Sequence, residues 1–218
     1  MKIINFLRRD WLALLFLLIP AVLIIYLWPQ LPDSVATHWN AAGEVDGWLS
    51  KASFGMIMSG LLIFTYSLLS IVLRIDPKPT AKYNRKTLRI LRITMMGLLC
   101  VTTSAIVLFN VGVSIDIPTV TKLSVPLVLL VVGNLFSKMK PNYFMGIRTP
   151  WTLESREVWL KTHRLAGGLW VVTALFLLVA SLSLPDDYYP PVLISATLVM
   201  VLVPVGYSYL IFRKQQTI

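Results

Sequence analysis

One cysteine, two histidines and ten acidic side chains are all that 218 residues offer to redox, metal or acid–base chemistry. Cys100 stands alone, which excludes an intramolecular disulfide and any paired-thiol site; deep in an apolar stretch, it reads as a small packing residue. No Gly-rich phosphate loop, nucleophile elbow or paired-Cys motif occurs. A catalytic site, a cofactor and a metal centre are therefore not expected. Nor does a Gly/Ser- or Pro-rich linker divide the chain, and charged residues make up 14% of it. No polar segment is long enough to bury a core of its own, so residues 1–218 are expected to form a single integral domain.

Apolar sequence is abundant: 56% of residues are hydrophobic and mean hydropathy is +0.74. It is gathered into six stretches, from Trp11 to Trp28, Ala52 to Leu73, Ile93 to Val113, Leu123 to Phe136, Leu165 to Leu184 and Val192 to Phe212. Most approach the ~20 residues with which a helix crosses a ~30 Å hydrocarbon core. The expected fold is all-α, a polytopic membrane protein built as a bundle of six transmembrane helices.

Basic residues in short loops are held on the cytoplasmic side during insertion. Eighteen of the twenty Lys and Arg fall at the N-terminus (Lys2, Arg8, Arg9), after the second stretch (Arg74 to Arg92), after the fourth (Lys138 to Arg164) and at the C-terminus (Arg213, Lys214), whereas Lys51 and Lys122 lie on the other face. Both termini are thus expected in the cytoplasm. This bias accounts for the net charge of +10 without direct nucleic-acid binding, and anionic membrane lipid is the simplest partner for such a surface. Arg8-Arg9-Asp10 before an apolar run has the look of a twin-arginine export signal, but Ile25-Tyr26-Leu27-Trp28-Pro29 offers no small-residue cleavage site. The first stretch is expected to remain as an anchor, with Arg8, Arg9 and Trp11 at the inner interface and Trp28 at the outer.

Inside the stretches ionisable side chains are scarce, and Asn110, Asn134, Ser and Thr supply the polarity, usually for helix–helix hydrogen bonds. Ion-coupled pumps place Asp, Glu, His or Lys at membrane depth, so a pump is not expected. Pro20, Pro126 and Pro204 each remove a backbone hydrogen bond from a helix. The two histidines, His38 in an outer loop and His163 in an inner one, are separated by a bilayer on this topology and cannot share a metal ion.

Two loops are richer in Trp, Gly, His, Asn and Pro than connectors need to be. In the outer one, residues 31–51, turn signals at Asn40 to Gly43 and Asp46-Gly47 predict a loop that doubles back, with His38 able to pair with Glu44 or Asp46. Trp39 and Trp48 then lie at headgroup depth or line a ligand surface. In the inner one, residues 138–164, Pro150 ends an extended part and Thr152 is placed to cap a short interfacial helix with Glu154 in its first turn. Glu157 and Lys161, four apart, can pair, while Trp159 and His163 share an adjacent face. Whether this basic face reads lipid or protein is not decided by spacing.

The outer Leu-Pro…Thr-His-Trp-Asn…Gly…Asp-Gly-Trp…Lys segment resembles a membrane domain of unknown function. The inner Asn-Tyr-Phe-Met-Gly-Ile-Arg-Thr-Pro-Trp-Thr-Leu…Val-Trp…Thr-His-Arg segment resembles the SdpI immunity proteins, which carry that domain at their N-terminal end. The resemblance divides the chain into an N-terminal membrane domain, 1–92 with outer loop 29–51, and an SdpI-like part, 93–218 with inner loop 137–164. It implies a multi-pass protein of the bacterial plasma membrane that protects its producer from a secreted, membrane-active peptide toxin of the SdpC type. Where a suitable partner exists, it also implies a signalling role in which a small winged-helix autorepressor is held at the cytoplasmic face. Carried over by motif, His38, Trp39, Asn40, Asp46, Trp48 and Lys51 are candidates for toxin contact, with Gly43 and Gly47 shaping the loop. Asn142, Arg148, Trp151, Trp159, His163 and Arg164 are candidates for partner contact or signal relay, with Gly146, Thr149 and Pro150 between them. Arg148 and Arg164 stand out, because a guanidinium recognises a carboxylate through two aligned hydrogen bonds.

Two other classes stay open on the sequence. A transporter or exporter would be favoured by a polar cavity between spans, and a membrane-embedded enzyme would need a convergent acid–base pair that the sequence does not supply.

Overall fold

The computed structural model describes residues 2–40, 42–72 and 74–216, with side chains from Asp10 onward. The side-chain placements expected for Lys2, Arg8 and Arg9 fall before that point, and Ala41 in the turn and Leu73 at the end of the second stretch lie outside the described residues. Six helices are long and apolar enough to cross a bilayer among the described residues: α1 (Lys2–Leu27), α2 (Lys51–Ile71), α3 (Arg85–Asn110), α4 (Ile117–Phe136), α6 (Arg156–Ser183) and α7 (Tyr189–Gln216). A single-turn helix, α5 (Pro150–Glu154), precedes α6, and Pro20, Pro126 and Pro204 sit inside α1, α4 and α7. The all-α architecture of a multi-pass membrane protein follows from the apolar stretches. What those stretches do not mark are the helix starts, because α3 and α6 begin about two turns before their apolar runs. For α6 the reason is a cap: Ser155 Oγ accepts the Val158 N–H and fixes the first turn.

The doubling-back between α1 and α2 is an antiparallel hairpin, β1 (Ser34–Trp39) and β2 (Val45–Ser50), with Val35 opposite Leu49 and Ala36 opposite Trp48. It belongs to a first compact unit, residues 1–70 and 92–125. Val35 drops into an apolar cluster with Ile24, Leu27, Leu31, Phe54 and Val107, which seats the hairpin on three helices. A second cluster joins Ala13, Leu62 and Met96, with Phe16 packed against it.

The same unit corrects the sequence reading at one place. Arg92, counted with the basic cluster after the second stretch, is buried and bonded to Asp10, which is buried as well. The guanidinium also donates to Leu69 O at 3.2 Å and Ser70 Oγ at 3.3 Å, and it lies over the Tyr66 ring, whose hydroxyl donates to Asp10 at 3.3 Å. Residues of α1, α2 and α3 therefore share one charge cluster. Opposite charges that neutralise and hydrogen-bond each other can leave water, whereas either one alone could not without a large desolvation cost.

The second unit comprises residues 71–91 and 126–218. Here α6 and α7 pack on each other across a short turn at residues 184–188, and Trp170 Nε1 donates to Met200 O at 3.0 Å. On α4, Gly133 lets α6 approach closely: a Cβ there would stand 2.9 Å from the Trp170 Cβ and 3.0 Å from the Val171 nitrogen.

Removing one partner of the charge cluster leaves the other buried and unpaired. Asp10→Ala is expected to destabilise the protein by about 3–5 kcal/mol, read as a lowered unfolding temperature in detergent, with Asp10→Leu/Arg92→Leu recovering most of the loss. An Asp10→Ala protein that melts like the parent would show that the pair contributes nothing to the fold.

Candidate functional site

In the hairpin the candidate residues divide into those that hold the backbone and those that face outward. Asn40 closes the turn: its Oδ1 accepts the Glu44 N–H at 2.9 Å, its Nδ2 donates to Glu44 Oε2 at 3.1 Å, and its backbone N–H donates to Glu44 O at 2.9 Å. Lys51 is engaged as well, donating from Nζ to Leu31 O at 2.9 Å and from its backbone to Asp33 O, with its ammonium 5.4 Å from the Trp28 ring centre. Trp39 lies edge-on to Phe109 at 5.2 Å. Asn110 pins the first strand to α3, accepting the Ala36 N–H at 2.8 Å and donating to Ala36 O at 2.9 Å. Its sequence reading as a helix–helix contact is corrected accordingly. It serves the hairpin, because the buried Ala36 at the edge of the strand needs its polar groups bonded.

What remains open are His38, Asp46 and Trp48. Of the two acids the sequence offered to His38, Asp46 is the partner: Nδ1 and Oδ1 are 2.5 Å apart, and the side chains stay 71% and 43% exposed. Trp48 is 55% exposed on the same strand as Asp46, at alternate positions that share one face. Below the base of the hairpin, α1 and α2 leave an open, mostly apolar groove of about 610 Å³, lined by Ile24, Ile25, Trp28, Pro29, Gly55, Met56 and Ser59.

The loop before α6 shows the same division. Asn142, fully buried, accepts the Phe144 and Met145 N–H groups at 2.9 and 2.6 Å and donates to Lys140 O and Met145 O. His163 Nε2 accepts the Ile147 N–H at 3.1 Å and Nδ1 donates to Trp159 O at 2.9 Å, so the ring carries its proton on Nδ1. Its face stacks on the indole of Trp159 at 4.0 Å, and Trp159 Nε1 donates to Met139 O. Gly146 has φ +93 and sits against the His163 imidazole, where a Cβ would collide with Nε2. Trp151 donates to Ser208 Oγ and meets Tyr209 edge-on at 5.4 Å. Arg148 and Arg164 are exposed; Arg148 Nη1 donates to Tyr143 O at 2.6 Å.

The helix cap expected at Thr152 is one turn earlier. Thr149 is the N-cap of α5 and forms a capping box in which Thr152 answers as the third residue, while Pro150 takes the first helical position and Glu154 ends the helix. The expected short helix is divided: residues 150–154 form α5 alone, whereas Glu157, Trp159, Lys161 and His163 lie on α6, continuous with the fifth span, and Ser155 stands between the two. Glu157 and Lys161 do pair, at 2.7 Å.

Sequence reasoning missed the partners that fasten this loop. Asn84 exchanges two 2.8 Å hydrogen bonds with the backbone of Lys140, Thr80 donates to Pro141 O, and Asp76 accepts the Tyr143 N–H at 2.9 Å. Lys78 donates to Leu153 O at 2.8 Å and lies over the Tyr143 ring. The one available signal was Asp76-Pro77-Lys78, an Asx-turn pattern that Asp76 completes by accepting the Lys78 N–H. No group of three or more His, Cys, Asp or Glu among the described residues is placed to hold a metal ion.

The motif residues should therefore separate in stability measurements. Trp159→Ala is expected to cost about 3–5 kcal/mol, and Gly146→Ala at least about 1–2 kcal/mol for its left-handed backbone alone. Arg148→Gln and Arg164→Gln should stay within about 1 kcal/mol of the parent in the same detergent unfolding assay.

Comparison with known proteins fits this geometry. Residues 15–63, which lie within the first unit, match the domain of unknown function DUF1648, and residues 138–209, within the second, match the SdpI/YfhL protein family. The chain is 23% identical to the Immunity protein SdpI of Bacillus subtilis (strain 168) over 207 residues, 95% of this chain and 97% of the other. No solved structure matches it. Two segments of the chain are thus similar, in order, to DUF1648 and to the SdpI/YfhL protein family, in a multi-pass protein of the bacterial plasma membrane.

Proposed function

We propose that this protein is an immunity protein that protects its cell from a secreted, membrane-active peptide toxin of the SdpC type. The reading is supported most directly by the near full-length similarity to an immunity protein. The hairpin supplies a physical means. It is fixed at its turn by Asn40, at its base by Lys51 and on its flank by Asn110, and it carries His38, Asp46 and Trp48 on open side chains. A rigid strand presenting an indole and a polar pair suits an amphipathic peptide arriving at the bilayer surface, since it loses little conformational entropy on contact. The apolar groove walled by Trp28 and Met56 offers hydrocarbon-depth space for the peptide's nonpolar part. This role requires binding and no bond-making chemistry.

In the same proposal both termini are cytoplasmic, the hairpin is extracellular and the loop at residues 137–164 is cytoplasmic. Arg148, exposed on that loop, and Arg164, exposed on the N-terminal part of α6, are then the contacts for an acidic surface on a cytoplasmic repressor.

Expression in a sensitive bacterium is expected to raise survival against such a peptide. Trp48→Ala and Asp46→Ala should reduce protection, and Met56→Trp, which fills the groove, should reduce it too. Arg148→Ala and Arg164→Ala should leave protection intact while weakening membrane recruitment of the repressor, where one is encoded. All variants are compared at equal membrane abundance. No gain in survival from the parent protein against any such peptide would sink the immunity reading, and loss of protection in the Arg variants would merge the two faces into one function.

Orientation has its own test. With Cys100 replaced by Ser, single cysteines at Glu44 should react with an impermeant reagent on intact cells, and those at Lys82 or Glu154 only after permeabilisation. The reverse pattern overturns the assigned sidedness.

A further inference from the structure

Residues 81–92 have two contrasting faces. Ala81, Asn84, Thr87 and Leu88 are buried, and Asn84 is bonded to the Lys140 backbone. Lys82, Arg85, Lys86 and Arg89 are all exposed, at the i, i+3, i+4, i+7 spacing that gathers side chains on one stripe of a helix. Tyr83 and Ile75, close by in the chain, are 66% and 59% exposed. No carboxylate among the described residues pairs with these four cations. Asp76, the acid closest in sequence, is occupied by the backbone N–H groups of Lys78 and Tyr143.

The helix does not need this stripe and is disfavoured by it. The first turn of α3 carries no acidic residue. Cations there oppose the positive end of the helix dipole, and like charges three and four apart repel. An anion supplied from outside the chain would relieve both effects.

Depth selects the anion. The apolar run of α3 starts at Ile93, so Arg89 and Arg85 stand four and eight residues ahead of it, roughly 6 and 12 Å of helix rise, with Lys82 about one turn farther out in the 3-10 turn that precedes α3. A headgroup layer adds about 5–8 Å to each side of the hydrocarbon core. On a spanning helix such a stripe faces sideways, toward headgroups, and Tyr83, whose ring centre lies 5.3 Å from the Lys82 ammonium, suits that boundary. We propose that Lys82, Arg85, Lys86 and Arg89, with Tyr83 beside them, bind the phosphodiester headgroups of anionic phospholipids. The site does not depend on the immunity reading.

The full-length protein would be reconstituted in bilayers of phosphatidylcholine with 30% phosphatidylglycerol. Spin-labelled lipids of each headgroup then report which lipid is enriched in the first shell. Anionic enrichment is expected to fall by about five-fold or more in Arg85→Gln/Arg89→Gln, and to weaken with salt. The equal-charge control Lys138→Gln/Lys214→Gln should retain the parent's enrichment. Circular dichroism and unfolding temperature in neutral bilayers establish that both variants are folded; if the Arg pair proves unstable, Lys82→Gln/Lys86→Gln takes its place. No enrichment by the parent, enrichment that survives loss of the stripe, or an equal loss in the control would each overturn the proposal. So would a parent that shows no phosphatidylglycerol preference yet binds an acidic soluble protein through these four residues.

Discussion

A backbone N–H or C=O buried away from water has no solvent to bond with, and each one left unpaired costs on the order of several kcal/mol. Six long helices meet this constraint within themselves. The hairpin and the loop before α6 cannot, and in both a side-chain amide or imidazole completes the bonding. Asn110 closes both polar groups of Ala36 on the strand edge, and Asn40 closes the turn. Asn84 takes both backbone groups of Lys140, Asn142 gathers four groups of its own loop, and His163 takes the Ile147 N–H. Satisfying the backbone this way also makes the irregular segments rigid. A segment whose buried backbone groups are bonded in this way can hold an exposed side chain in place.

This explains why the two family motifs mix residues with different jobs. Asn142, Trp159, His163 and Gly146 build a loop, and the partners of each are inside the protein. Arg148 and Arg164 extend from the same stretch into solvent. In the hairpin, Asn40 and Lys51 build, whereas His38, Asp46 and Trp48 are displayed. A motif read as one recognition element would assign binding to residues whose removal merely unfolds it. The distinction between building and display is set by burial and bonding, neither of which a residue string carries.

Features that depend on near neighbours in the chain were legible in the sequence. Apolar runs gave six helices, turn residues gave the doubling-back that became β1 and β2, and four-residue spacing gave both the Glu157–Lys161 pair and the Trp159–His163 stack. Partnerships between distant residues were not: Asp10 with Arg92 is 82 residues apart, Asn110 with Ala36 is 74, and Asn84 with Lys140 is 56. Helical periodicity carries information over about one turn to the next and none over such distances. The cap misassigned to Thr152 is a smaller error with a clear cause. Thr149-Pro150-Trp151-Thr152 offers two threonines in capping-box spacing, and Pro150, favoured at the first helical position, points to Thr149.

Arg89 and Arg92 illustrate why net charge is a poor guide to role. They are three residues apart on α3, and both were counted toward the same basic cluster. Arg92 turns into the protein, where Asp10, Ser70 and the Leu69 carbonyl surround its guanidinium. Arg89 turns out, on the face shared with Lys82, Arg85 and Lys86. Three residues is 300° of helix, which brings a side chain back to within about 60° of its starting direction, so the two stand on either side of the line where the exposed face meets the buried one. The basic side chains among the described residues therefore divide by role. Some form internal bonds that hold helices and loops together, as Arg92, Lys51 and Lys78 do. Others, Lys82, Arg85, Lys86 and Arg89 among them, stand exposed. Inserting the chain responds to the sum of both, because topology is set before either fold contact forms, whereas recognition can draw on the second alone.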